Sequence, residues 1–189
     1  MNKKTDLRIL KTKKALYEAL VELIKDKSFE EIRASDLCSK ALINRSTFYS
    51  HFSDKYDLVA SFIDDLKKEL LNALSKNKNI INTKEFYIEM INLILEHIDS
   101  KKNIYKSILK FNRNSIIIDM IIDVTIKDLN KRLEISTSSN NSIPIDILTT
   151  FYLSGVSGVI LEWLNGNDKY EKKDIIKYLD KLIPDDINE

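Results

Sequence analysis

Glycine, proline, cysteine and histidine are all scarce in this chain of 189 residues, with three, two, one and two copies. So little glycine leaves no material for a phosphate-cradling loop or a nucleophile elbow, and neither pattern occurs. The single cysteine, Cys38, excludes an internal disulfide and suits a reducing cytoplasm, the expected location. His97 has no carboxylate or thiol at metal-ligand spacing, so neither a metal nor a cofactor is expected. No paired-acid signature stands out either. These shortages argue against an enzyme, and no catalytic residue is nominated. Apolar runs stop short of the roughly 18–20 residues of a membrane span, and the basic start MNKKTDLRILKTKK lacks the apolar region of a signal peptide. No membrane partner is expected.

Charge is also nearly absent as a net quantity, at +1, yet it is unevenly placed. Residues 1–55 hold 12 Lys/Arg against 8 Asp/Glu, whereas residues 56–189 hold 18 against 21. The first fourteen residues carry six Lys/Arg and one Asp. Phosphate attraction would profit from cations at that end; a merely solvated face accounts for the bias equally well.

What the chain does have is Leu, Ile, Lys and Glu at three- and four-residue steps, with little period-two alternation. That pattern predicts an all-α fold. Residues 5–27 form one amphipathic helix with Leu16, Tyr17, Leu20, Leu23 and Ile24 on one face. Two short helices follow over about 33–52. Ser53 is placed to cap a long helix running from Asp54 toward Leu74. Further helices are predicted from Asn82 to about Asp99, over Asn103–Phe111 and over Ser115–Ile135. The polar run STSSNNS, Ser136–Ser142, reads as a loop. A nearly all-apolar helix, about Pro144–Leu164, must on this pattern be buried on more than one side; Gly166 stops it. The last helix spans about Lys172–Ile183, before Pro184.

The segment ASDLCSKALINRSTFYSHF, Ala34–Phe52, is the most informative. Leu37, Cys38 and Ala41 make a buried stripe, and Asn44 is a good N-cap for a second helix. In that helix Phe48 and Phe52 face inward. Arg45, Ser46, Thr47, Tyr49, Ser50 and His51 point elsewhere. An aromatic underside with a polar, partly cationic outer surface fits a DNA major groove. A guanidinium at Arg45 can bond guanine O6 and N7 together; a phosphate or surface ion pair is the alternative. Ser46 and Thr47 are short enough to read bases or to let the helix approach closely. Tyr49 and His51 are candidates for phosphate contacts, against a core ring for Tyr49 and a helix cap for His51. Lys55, in the first turn of the next helix, is a candidate to clamp a phosphate together with the free amides there.

This pattern resembles the tetracycline-repressor (TetR) family of bacterial transcription regulators. Carrying the resemblance are Phe29, Ile32, Asp36, Leu37, Ala41, Ile43, Arg45, Thr47, Phe48, Tyr49, His51, Phe52, Lys55 and Leu58, over the first 60–70 residues. The stretch FYLSGVSGVILEWLNGN resembles the penultimate helix of a subgroup that includes regulators of dihydroxyacetone metabolism. The resemblance implies a three-helix helix-turn-helix head over residues 1–70, a helical effector-binding and dimerisation domain over 71–189, about nine helices in all, and a homodimer. It implies DNA contacts from Arg33 and Ser35 at the start of the second helix, from Asn44, Arg45, Ser46, Thr47, Tyr49, Ser50 and His51, and from Lys55. The partner would be a double-stranded palindromic operator, the action repression, and the control a small-molecule effector or a partner protein. Three positions depart from the family: Leu42 and Ser28 stand where glycine is usual, and Arg33 where a Ser or Thr cap is. A left-handed backbone at Leu42 would be strained, so either the turn differs or packing of Leu42 offsets the cost.

One recognition helix reads too few base pairs for genomic specificity, which calls for two copies. Gly155 and Gly158, in an apolar helix, allow close approach of another helix; the alternative is packing within one subunit. With Tyr152, Val156, Val159, Ile175, Ile176, Leu179 and Leu182 they make the expected four-helix dimer interface. Phe86, Met90, His97, Tyr105, Phe111, Met120 and Trp163 are the candidates for an effector pocket, against plain core roles for each.

Overall fold

The computed structural model describes residues 3–75, 83–112, 120, 143–166 and 169–184. Among them are eight helices and no strand: α1 (Lys3–Ile24), α2 (Ala34–Ala41), α3 (Arg45–Tyr49), α4 (Lys55–Leu74), α5 (Thr83–Ser100), α6 (Lys102–Asn112), α7 (Ile145–Asn165) and α8 (Lys172–Leu182). The expected helix over Ser115–Ile135, the loop Ser136–Ser142 and the expected helix start at Asn82 lie outside the described residues, apart from Met120.

The chain forms two compact bodies, and neither is continuous in sequence. One comprises Met1–Leu66 and Ser107–Met120; the other comprises Lys67–Lys106 and Ile121–Glu189. The sequence reading drew one cut near residue 70. The observed head instead includes the second half of α6.

In the head, Leu16, Ala19, Leu20 and Ile24 of α1 are buried with Phe29, Ile32, Leu37, Cys38, Phe48, Phe52, Leu58, Val59 and Leu109. Helix α1 packs on α2, and α2 on α3. A partly buried polar cluster joins α1 to α4. The Tyr17 hydroxyl donates to Asp65 Oδ2 at 2.8 Å and lies 2.8 Å from Ser61 Oγ, to which Lys13 Nζ donates at 2.9 Å. Burial, above all, pushes the Tyr17 hydroxyl up to about 12. In the second body α5 and α7 pack on α8 around Ile91, Leu95, Ile98, Trp163, Leu164, Ile175 and Leu179.

Caps differ in detail from the sequence reading. Asn44 holds the N-cap position of α3, but its side chain makes no cap hydrogen bond. Asp54, not Ser53, caps α4, its Oδ1 accepting from Tyr56 N–H and Asp57 N–H at 2.8 Å each. At α2 the missing Ser/Thr cap is replaced from within the helix. Asp36 Oδ2 accepts the Arg33 N–H at 3.0 Å and pairs with Lys27 at 3.1 Å.

The two missing glycines are resolved in opposite ways. Leu42 adopts φ 56° and ψ 41°, and it is the one non-glycine with positive φ among the described residues. Its N–H donates to Ser39 O and that of Ile43 to Cys38 O, the paired bonds of a Schellman cap. The side chain is 93% exposed, so no packing offsets the strain. At Ser28 the backbone keeps negative φ, and Glu31 accepts from its N–H and hydroxyl.

The apolar α7 departs furthest from expectation. At 21 residues, with a mean hydropathy of 1.4 over an 18-residue window, it is long and apolar enough to cross a membrane by length and composition. Only 17% of that window is buried, against the expected burial on more than one side. Ile147 and Phe151 are exposed; Thr149, Trp163 and Leu164 face the core. Gly166 ends the helix where a Cβ would stand 2.9 Å from the Glu162 carbonyl oxygen.

Candidate nucleic-acid interface

Helix α3 is only five residues long and holds its place through its underside. Phe48 is fully buried and Phe52 nearly so, their ring centroids 5.8 Å apart. Tyr49 stands edge-on to Phe48, centroids 5.2 Å apart, yet is 55% exposed. That corrects the core-ring alternative for Tyr49. Arg45, Ser46, Tyr49 and Ser50 are exposed, as is Asn44 before them, while Thr47 and His51 are half-buried. The Ser50 hydroxyl donates to the Thr47 carbonyl at 2.8 Å, so its proton is taken up within the turn. Beside this surface, Arg33 is exposed and Ser35 half-buried at the start of α2. Rigid backing with exposed hydroxyls and a guanidinium is what groove reading needs chemically.

Lys55 does something else. Its Nζ donates to the carbonyls of Phe29, Glu30 and Ile32 at 2.9 Å each, and it lies 4.6 Å from the Phe29 ring centroid. An ammonium has three protons, and all three are placed. Burial holds its pKa below the usual lysine range. The amides at the start of α4 are meanwhile occupied by Asp54, and Asp57 accepts from Ser53 N–H at 2.9 Å. The expected phosphate clamp at Lys55 is therefore corrected: the side chain braces the α1–α2 link, and two carboxylates stand at the helix start.

The expected helix stops at Phe111, and sequence reading assigns no role to Asn112, the residue that follows it. It is 1% exposed, and its amide bonds the end of α1 and the start of the α1–α2 link. A signal was present. Ile104, Tyr105, Ile108, Leu109 and Asn112 fall on one stripe of α6, and a polar residue in register with an apolar stripe marks a buried polar group.

In the second body the expected pocket residues are only partly together. His97 and Tyr105 pair edge to face at 6.0 Å between centroids. Burial, then Lys101, holds the His97 imidazole below its ordinary pKa, and burial pushes Tyr105 up to about 12. Phe111 and Met120 belong to the head instead, and Phe111 is exposed there, which removes it as a pocket wall. Trp163 is buried, donates to the Tyr170 carbonyl at 3.0 Å and carries Lys102 4.7 Å from its ring centroid. An open cleft of about 450 Å³ lies there, lined by Asp99, Lys102, Trp163, Tyr170, Glu171, Lys172 and Lys173; none of the other six expected residues lines it.

The expected dimer set divides along the helix faces. Ile175 and Leu179 are buried within the chain, so they are core rather than interface. Leu182 is exposed, with Tyr178 beside it on the outer face of α8. Gly155 and Gly158 are exposed, and among the described residues no atom lies within 4 Å of where a Cβ would stand. Tyr152, Val156, Val159 and Ile176 are half-buried.

Comparison with known proteins agrees with this geometry. A family model described as bacterial regulatory proteins of the tetR family matches residues 16–62, and one described as a transcriptional regulator C-terminal region matches residues 85–185. The chain is 31% identical over 74 residues to the HTH-type transcriptional regulator YxbF of Bacillus subtilis (strain 168), covering 39% of this chain and 20% of that protein. It is 26% identical over 103 residues to DhaS of Lactococcus lactis subsp. lactis (strain IL1403), named as an HTH-type dhaKLM operon transcriptional activator, covering 54% of this chain and 51% of that one. The matched stretches thus span 20% and 51% of the length of these curated relatives. A solved TetR transcriptional regulator from Streptococcus agalactiae 2603V is similar over 94% of this chain and 96% of its own, with a TM-score of 0.66 and 25% identity. An all-helical chain with a helix-turn-helix head, matched by family models over both its ends, belongs to the TetR family of bacterial transcriptional regulators.

Proposed function

We propose that this regulator binds a palindromic operator as a homodimer, represses transcription there, and is released by a small molecule acting on its second body. The observation that carries the DNA reading is α3, where a buried Phe48–Phe52 underside presents exposed Arg45, Ser46 and Tyr49 outward. Arg45 supports base reading, worth about 1–3 kcal/mol of discrimination per bidentate contact. Tyr49, His51, Arg33 and Ser35 position the helix on phosphates, with Asn44, Ser46, Thr47 and Ser50 nearest the groove. The surplus of Lys/Arg in the first fourteen residues adds electrostatic attraction to phosphates. Function by binding rather than catalysis, in the cytoplasm, follows from this reading.

Supporting the homodimer is the exposed strip of α7 and α8, with Ile147, Phe151, Gly155, Gly158, Tyr178 and Leu182 outward. Two such strips together make a four-helix contact. A second reading of the control step rests on the Trp163 cleft, which is open and rimmed by charged side chains. Such a surface suits a partner protein as well as a metabolite. The relative DhaS is named as an activator, so the sign of regulation is read directly by a reporter.

Gel shift with fragments selected from the source genome tests the core of the proposal. Arg45→Ala and Tyr49→Ala are expected to weaken binding by tenfold or more. If both variants bind as tightly as the parent, α3 is not the reading surface. Thermal shift against metabolites, beside co-purification, separates the two forms of control.

A further inference from the structure

The α1–α2 link, residues 25–33, is held by two side chains that come from far along the chain. From one side Lys55 donates to the carbonyls of Phe29, Glu30 and Ile32. From the other, Asn112 Oδ1 accepts the Phe29 N–H at 2.7 Å. Asn112 Nδ2 donates to Ile24 O at 2.9 Å, to Ile108 O at 3.2 Å and to Lys27 O at 3.3 Å. Residue Phe29 is thus gripped at both its N–H and its carbonyl. The link leads directly into Arg33 and α2, and α2 carries α3.

We infer that Asn112 is a positioning residue for DNA recognition: by clamping the α1–α2 link it sets the pose in which α2 and α3 meet the groove. The inference rests on the DNA reading proposed above. The chemistry singles out asparagine. The site demands one acceptor facing an amide and two donor protons facing carbonyls, on a short, buried stem. Aspartate has the same shape but no donors, and it would turn a carboxylate toward three carbonyl oxygens. Alanine leaves the Phe29 N–H and the Ile24 carbonyl without this partner in a buried place, and the Lys27 carbonyl without it in a part-buried one. In either case the link gains freedom, and a recognition helix displaced by about 1 Å loses its bidentate geometry.

Asn112→Ala and Asn112→Asp in the full chain test this through two measurements. Amide exchange over residues 25–41 is expected to quicken at least tenfold in both variants, with α5 and α8 unchanged. Affinity for a fragment bound by the parent is expected to fall at least tenfold, at a temperature where circular dichroism shows full helix content. If Asn112 merely filled space, the aspartate variant would keep both parent values, and that result overturns the inference. So does a folded alanine variant with parental affinity. Should alanine prevent folding, the near-isosteric aspartate variant carries both measurements. A parent that selects no DNA sinks the DNA reading; the exchange measurement still decides whether Asn112 clamps the link.

Discussion

At Leu42 the backbone is left-handed, the side chain is almost wholly in water, and nothing returns the cost. Leu42→Gly is expected to stabilise the protein by about 1 kcal/mol, roughly 2–4 °C in Tm for a chain of this size, read by thermal melting. No change, or a fall, would mean that the turn is not strained. Lys55 offers a sharper test, because the phosphate role and the bracing role predict different things. Lys55→Met is expected to lower stability by about 1.5–3 kcal/mol, through lost charge-assisted bonds to three carbonyls. The slope of log affinity for DNA against log salt should stay at the parental value. A phosphate contact, on removal, reduces that slope by about one. His97 gives a pH dependence. Its folded pKa is held below 6.5 by burial and then Lys101, so the unfolded chain takes up a proton first as pH falls. Stability should therefore decline as pH drops from about 6.5 toward the folded value. His97→Gln is expected to flatten that decline in denaturant titrations at several pH values.

At the scale of elements, the shortest helix is the most dependent on its neighbours. Five residues cannot hold a helix alone. The Phe48 ring, buried against Phe52, supplies what α3 lacks, and Phe48→Ala is expected to cost about 3–5 kcal/mol. The loss should show as lost helix signal near physiological temperature, not simply as weaker DNA binding. The long helices were legible from the sequence because each carries an apolar stripe at the helical period, and α8 ends one residue from where Pro184 suggested. Caps were less legible. Ser53 and Asp54 are both good caps by type, and only the position of the α4 amides selects Asp54.

At the scale of the molecule, the uncovered face of α7 carries the strongest consequence. Both glycines, Gly155 and Gly158, are exposed, and no described atom stands within 4 Å of a Cβ placed at either, so Gly155→Leu with Gly158→Leu is expected to leave the protomer folded. Close approach of a second copy would be blocked. Sedimentation is expected to show a dimer for the parent and a monomer for the double variant, with operator binding weakened by orders of magnitude. A double variant that still sediments as a dimer moves the interface elsewhere. The two compact bodies, each assembled from separated stretches, also mean that a fragment ending near residue 70 omits Asn112 and with it part of the head.

The sequence by itself determined the helical class, the order of the described helices and the residue types that α3 offers to a groove. These are local properties, set by apolar period and side-chain chemistry within a few residues. Only the tertiary structure decided that Lys55 braces a loop, that Asn112 completes the head across more than 80 residues of chain, and that Ile175 and Leu179 face inward while Phe151 faces out. Hydrogen-bond partners and the choice between two apolar faces depend on which distant segments arrive, and no local pattern encodes that.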